Sequence, residues 1–68
     1  MTLYDLRSAA GWTQTELAKR IGVSRQSIVW WETGRAIPFG KNLIKLARVF
    51  GVDPGQIEWR NKDDAVRD

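Results

Sequence analysis

Along most of this chain apolar residues recur three and four positions apart, and a glycine closes each such run. Leu3, Leu6 and Ala10 precede Gly11, and Leu17, Ala18 and Ile21 precede Gly22. Ile28 and Trp31 precede Gly34, and Leu43, Ile44, Leu46, Ala47 and Phe50 precede Gly51. That spacing is the period of a helix with one buried face, and a glycine just past the last periodic residue is a common helix stop. The pattern predicts helices over about Thr2 to Ala10, Gln14 to Ile21, Arg25 to Thr33 and Lys41 to Phe50. Asp53 followed by Pro54 predicts a capped, proline-opened fifth helix through Glu58. The stretch 35–39 carries a proline and reads as a loop, and 60–68 is polar and expected to fray. No β-alternating run, internal repeat or low-complexity segment interrupts this order. The expected fold is therefore all-α: a compact five-helix bundle in residues 1–59, followed by a polar, disordered tail at 60–68.

The middle of the chain is the most specific. Thr13 with Glu16 fits a capping box, in which the hydroxyl accepts a free backbone N–H and the carboxylate reaches back to the cap. Gly22 can adopt the left-handed conformation that ends the second helix, Val23 can plug the corner, and Ser24 caps the third. Two short helices abutting through a glycine turn make a helix-turn-helix, whose second helix lies in the DNA major groove. An αα-hairpin of any small bundle is the plainer alternative. With Ile28 and Trp31 inward, Arg25, Gln26, Val29, Trp30 and Thr33 form the outward stripe of the third helix. Arg pairs bidentately with guanine O6 and N7, Gln with adenine N6 and N7, and Val packs on thymine methyls. Ser27 either reaches a base edge or caps locally. Trp30 meets sugars or methyls at the groove wall, or else a partner protein; exposed apolar side chains otherwise cost solubility.

Composition and charge narrow the chemistry. Sixty-eight residues suit one domain, near the lower limit for a core without staples, and no cysteine is present to supply a disulfide. Hydrophobic residues make up 43%, enough for a packed core. No apolar run approaches the ~18 residues of a membrane span, and no basic segment leads into an apolar one at the N-terminus, so a cytoplasmic, nucleoid-associated protein is expected. The net charge of +3 is unevenly spread. Between Thr13 and Lys45 six bases face Glu16 and Glu32, an excess of four, whereas the tail sums to zero. Positive charge thus gathers on the half that would meet phosphates. Histidine and cysteine are both absent, and the carboxylates are scattered apart from Asp63 and Asp64. An enzyme is not expected, nor is a metal or cofactor. Trp12 is expected to cover a core edge and Trp31 to be core, while Lys19 and Arg20 face solvent.

The stretch LRSAAGWTQTELAKRIGVSRQSIVWWETGRAIPFGKNLIKLARVFGV, about Leu6 to Val52, resembles the phage repressor and Cro type of helix-turn-helix domain, the Xre family with its lambda repressor-like fold. An ordered set of motifs carries the resemblance: LR, G-x-TQ-x-ELA, GVS, W-E-x-G, a loop proline and L-x-KLA-x-x-FGV. It implies base contacts from Arg25, Gln26, Ser27 and Trp30 and a phosphate contact from Gln14 at a helix N-terminus. It further implies backbone contacts from Arg35, Lys41 and Asn42, and a salt bridge between Arg7 and Glu32. The function so implied is a sequence-specific regulator, a small repressor on a palindromic operator. An antitoxin that autoregulates its promoter and neutralises a toxin is the alternative within that class. A protein-interaction module of the same fold is the alternative outside it. No separate dimerisation domain is evident, so a weak homodimer completed on DNA would use Ile57 and Trp59 as its seam, unless Trp59 only locks down the last helix.

Overall fold

Each helix starts where local chemistry permits. The structure, a computed structural model, describes residues 1–59; the expected tail at 60–68 lies outside the described residues. Helix α1 (Leu3–Ala10) follows Thr2, whose hydroxyl accepts the Asp5 N–H at 3.1 Å while the Asp5 carboxylate accepts the Thr2 N–H at 3.0 Å. Helix α2 (Gln14–Ile21) repeats this box with Thr13 and Glu16, both bonds being 3.0 Å. Helix α3 (Arg25–Thr33) opens on Ser24, whose Oγ accepts the Ser27 N–H at 3.2 Å. Helix α4 (Lys41–Phe50) begins after Gly40 with no side-chain cap, so its first N–H groups have no side-chain acceptor. Between α2 and α3 the chain turns at Gly22, with φ 75° and ψ 38°. Any L side chain is strained in that conformation, and the close abutment of the two helices depends on it.

Leu3, Leu17, Ile28 and Leu46, one from each helix, are essentially inaccessible to solvent. Leu6, Ala18, Ile21, Trp31 and Ile57 complete the core, and Trp12, Val49, Phe50 and Trp59 pack against it half-buried. Helix α2 contacts both α3 and α4, while α3 and α4 touch little, so these two flank α2. Helix α1 leans on α3. Two inward assignments do not hold: Ala10 is exposed, and Ile44 is 48% exposed on the outer side of α4.

The five-helix expectation also needs correction. Asp53 and Pro54 do open a turn, but it is a single 3₁₀ turn, Pro54–Gln56, and not a helix through Glu58. The Gln56 side chain reaches back to accept the Asp53 N–H at 2.8 Å. The chain then extends at Ile57, and the Glu58 N–H donates to the Met1 carbonyl at 2.8 Å, forming a lone parallel bridge between Thr2 and Glu58. The N-terminal ammonium lies 3.7 Å from the Glu58 carboxylate. This backbone pairing with the start of the chain, together with burial of Ile57, competes with a further helical turn and prevails. The described residues thus form four α-helices and one 3₁₀ turn.

Candidate nucleic-acid interface

Helix α3 presents the outward stripe from a fixed base. Arg25 and Gln26, in its first turn, are exposed, Val29 is half-buried, and Trp30 is 44% exposed. Trp31, one residue on, is 6% exposed, so adjacent tryptophans take opposite environments because α3 turns about 100° per residue. Ser27 is half-buried, with its Oγ 3.1 Å from that of Ser24 and its N–H bonded to the same atom, so its hydroxyl is already engaged in the cap. Thr33 turns its hydroxyl back onto the Val29 carbonyl at 2.8 Å and has no free donor for a base.

The angle of α3 is held by a nearly dry polar network that joins three helices. Arg7 of α1 donates from Nε and Nη2 to the two carboxylate oxygens of Glu32, at 2.6 and 3.1 Å, and from Nη1 to the Trp12 carbonyl at 2.9 Å. The two side chains are only 13% and 7% exposed. Bidentate geometry of this kind is the strong form of a charge-assisted bond. The hydrogen bonds to Glu32 push the Arg7 guanidinium further above its already high pKa. Gln14 joins from the first turn of α2, its Nε2 donating to Glu32 Oε1 at 3.2 Å. The side chain that the resemblance assigns to a phosphate is thereby tied to the end of α3, a link that the resemblance does not supply.

Of the other backbone-contact candidates, Arg35 and Lys41 are exposed and Asn42 is half-buried. Lys41 and Asn42 stand at the N-terminus of α4 that no side chain caps, where free N–H groups and the helix dipole favour an anion. Ile57 is different. At 4% exposure it belongs to the monomer core and offers no surface to a partner, because the extended chain after the 3₁₀ turn carries it inward. Trp59 is half-buried against that same core. One contact had no signal in the sequence: the Arg20 guanidinium stacks 4.2 Å over the Trp12 ring, which in turn lies 5.5 Å from the Phe50 ring. No helix of the described residues is long and apolar enough to cross a membrane. Among those residues no group of His, Cys, Asp or Glu side chains is placed to hold a metal ion.

Comparison with known proteins bears on this arrangement. Residues 3–57 match a protein-family model described as helix-turn-helix. An uncharacterized HTH-type transcriptional regulator of Archaeoglobus fulgidus is 46% identical over 46 residues, which cover 68% of this chain and 66% of that protein. HTH-type transcriptional regulator DicA of Escherichia coli is 39% identical over 51 residues, 75% of this chain and 38% of DicA. Multiprotein-bridging factor 1 of Schizosaccharomyces pombe is 41% identical over 46 residues, 68% of this chain and 31% of that protein. The match thus spans just under two thirds of the archaeal relative and a smaller share of the other two. No solved structure matches the chain at comparable significance. The capped helix pair, its glycine turn and a family match over nearly all the described residues lead to one conclusion: this chain belongs to the Cro/C1-type helix-turn-helix family.

Proposed function

We propose that this chain is a sequence-specific DNA-binding transcriptional regulator that reads the major groove with α3. The observation that carries the reading is the exposed stripe of Arg25, Gln26 and Trp30, flanked by Val29, on a helix braced from behind by Arg7 and Glu32. Arg25 supplies a bidentate guanine contact and Gln26 an adenine contact, while Val29 and Trp30 supply apolar contact with thymine methyls and sugars. Ser27, half-buried with its hydroxyl 3.1 Å from that of Ser24, adds a base contact where that hydroxyl pair leaves its O–H free to donate. Gln14, Arg35, Lys41 and Asn42 hold the phosphates on either side and set the register. The chain represses by occupying a palindromic operator as a homodimer, with half-sites about 34–36 Å apart. Trp59, half-buried at the C-terminal edge, lies at or beside the seam, and Ile57 supports it from the core. No catalysis is assigned, and the site of action is the nucleoid. The two HTH-type transcriptional regulators, 46% and 39% identical, support this reading.

The test is titration of Arg25→Ala and Gln26→Ala against DNA from upstream of the chain's own gene and against random DNA. Each variant should lose about 1–3 kcal/mol of specific binding with unchanged circular dichroism. Unaltered operator preference in both would sink the assignment. The second reading, a protein-docking module, is favoured by one observation: Trp30 is 44% exposed at the centre of the stripe. Normal operator binding by Trp30→Ala, together with loss of a protein partner, would favour it.

A further inference from the structure

The last turn of α2 and the middle of α4 enclose an open groove of about 550 Å³, in which Lys19, Arg20, Lys45 and Arg48 surround Ile21 and Val49. Lys45, Arg48 and Val49 are three and four residues apart and share one face of α4. All four cations are exposed. The ion pairs among the described residues are Arg7 with Glu32 and the N-terminus with Glu58, so none of the four is in one. Glu16, whose carboxylate feels Arg20, is held by the Thr13 N–H in its capping box. Arg20 is stacked on Trp12, which fixes its guanidinium at the groove edge. Four like charges around one cleft repel one another, and an anionic ligand relieves that repulsion while drawing on the field they focus.

The groove contains no residue of α3. Helices α3 and α4 each pack on α2 and touch one another little, so the groove between α2 and α4 is built without the α3 stripe. Packed helix axes lie roughly 8–10 Å apart, so a cleft between two helices takes a single peptide segment and not a duplex. We propose that this groove docks an acidic segment of a second protein, with Asp or Glu carboxylates on the four cations and an apolar side chain against Ile21 and Val49. The site stands apart from the base-reading surface and does not depend on it. It would let the regulator hold DNA on one side and a protein on the other.

The test uses the full chain, labelled with ¹⁵N and free of DNA, titrated with a short synthetic peptide of Glu, Asp and Leu. Its counterpart with Gln and Asn at the acidic positions is the control. Expected are saturable shifts of the 19–22 and 45–49 amides, none with the control peptide, and at least about a tenfold loss of affinity in Lys45→Glu/Arg48→Glu. Lys45→Gln/Arg48→Gln serves the same purpose should the reversed charges unfold α4, with a thermal melt confirming its fold. Shifts centred on 25–33, equal binding of the control peptide, or no saturable shift would each overturn the proposal. So would a random duplex that displaces the peptide from the groove amides, since the groove would then be a phosphate surface.

Discussion

Glu32→Ala tests whether the geometry of α3 rests on one carboxylate whose side chain is only 7% exposed. The substitution removes three hydrogen bonds at once, two from Arg7 and one from Gln14. It leaves a guanidinium that is 13% exposed with the Trp12 carbonyl as its remaining acceptor. Breaking a buried pair from one side costs about 3–5 kcal/mol, because the abandoned charge has lost both its partner and its water. In a domain this small, where each kcal/mol moves the midpoint by about 4–8 °C, the melting temperature should fall by more than about 12 °C. Glu32→Gln keeps an acceptor oxygen in place and should cost less, about 1–3 kcal/mol. The double variant Arg7→Met/Glu32→Leu removes both charges and fills the space, so it should be close to neutral in stability. Its DNA affinity should nonetheless drop, since Gln14 has lost its brace. Thermal and urea unfolding of Arg7→Met, Glu32→Leu and the double, assembled as a double-mutant cycle, give the coupling directly. A cost below about 1 kcal/mol for Glu32→Ala is what an exposed pair shows, and it would refute the claim that this network is effectively buried.

Three other predictions follow from burial and charge. Trp31→Ala should destabilise by about 3–5 kcal/mol through a cavity in a minimal core, whereas Trp30→Ala should change stability by less than about 1 kcal/mol; the reverse ranking in thermal melts would mean the phase of α3 is wrong. If two chains bind one operator, log affinity against log salt should steepen by about 0.9 per phosphate neutralised, and sedimentation should give two chains per duplex; a one-to-one complex unaffected by Trp59→Ala would rule out the dimer. Asp5 and Glu16 titrate below the ordinary carboxylate range because the backbone N–H groups and hydroxyls of Thr2 and Thr13 bind them. With folded values below the unfolded ones, the capping contribution is complete above the ordinary range and is lost as pH falls through the folded values. Asp5→Asn/Glu16→Gln should therefore flatten the acid limb of stability in urea, and an unchanged limb would contradict the capping account.

Much of this protein can be read without coordinates, and the reason is locality. The bounds of α1 to α3 follow from caps and stops within four residues of each end, as with Thr13, Glu16 and Gly22 for α2, and the end of α4 follows from Gly51. The opposite placement of Trp30 and Trp31 follows from helical period alone. What the sequence could not settle depends on residues far apart in the chain. Ile57 reads as a spare apolar residue until the Glu58 backbone pairs with Met1 and carries it into the core; that same pairing ends the last turn at Gln56. Gln14 reads as a phosphate ligand, and only the packing of α1, α2 and α3 shows it tied to Glu32, eighteen residues on. Lys19 and Arg20 read as solvated charges until α4 brings Lys45 and Arg48 alongside them. Local hydrogen bonds and periodicity determine where helices begin, end and turn their apolar faces. Which polar groups then meet across those helices is decided by chain crossings that no window of sequence contains.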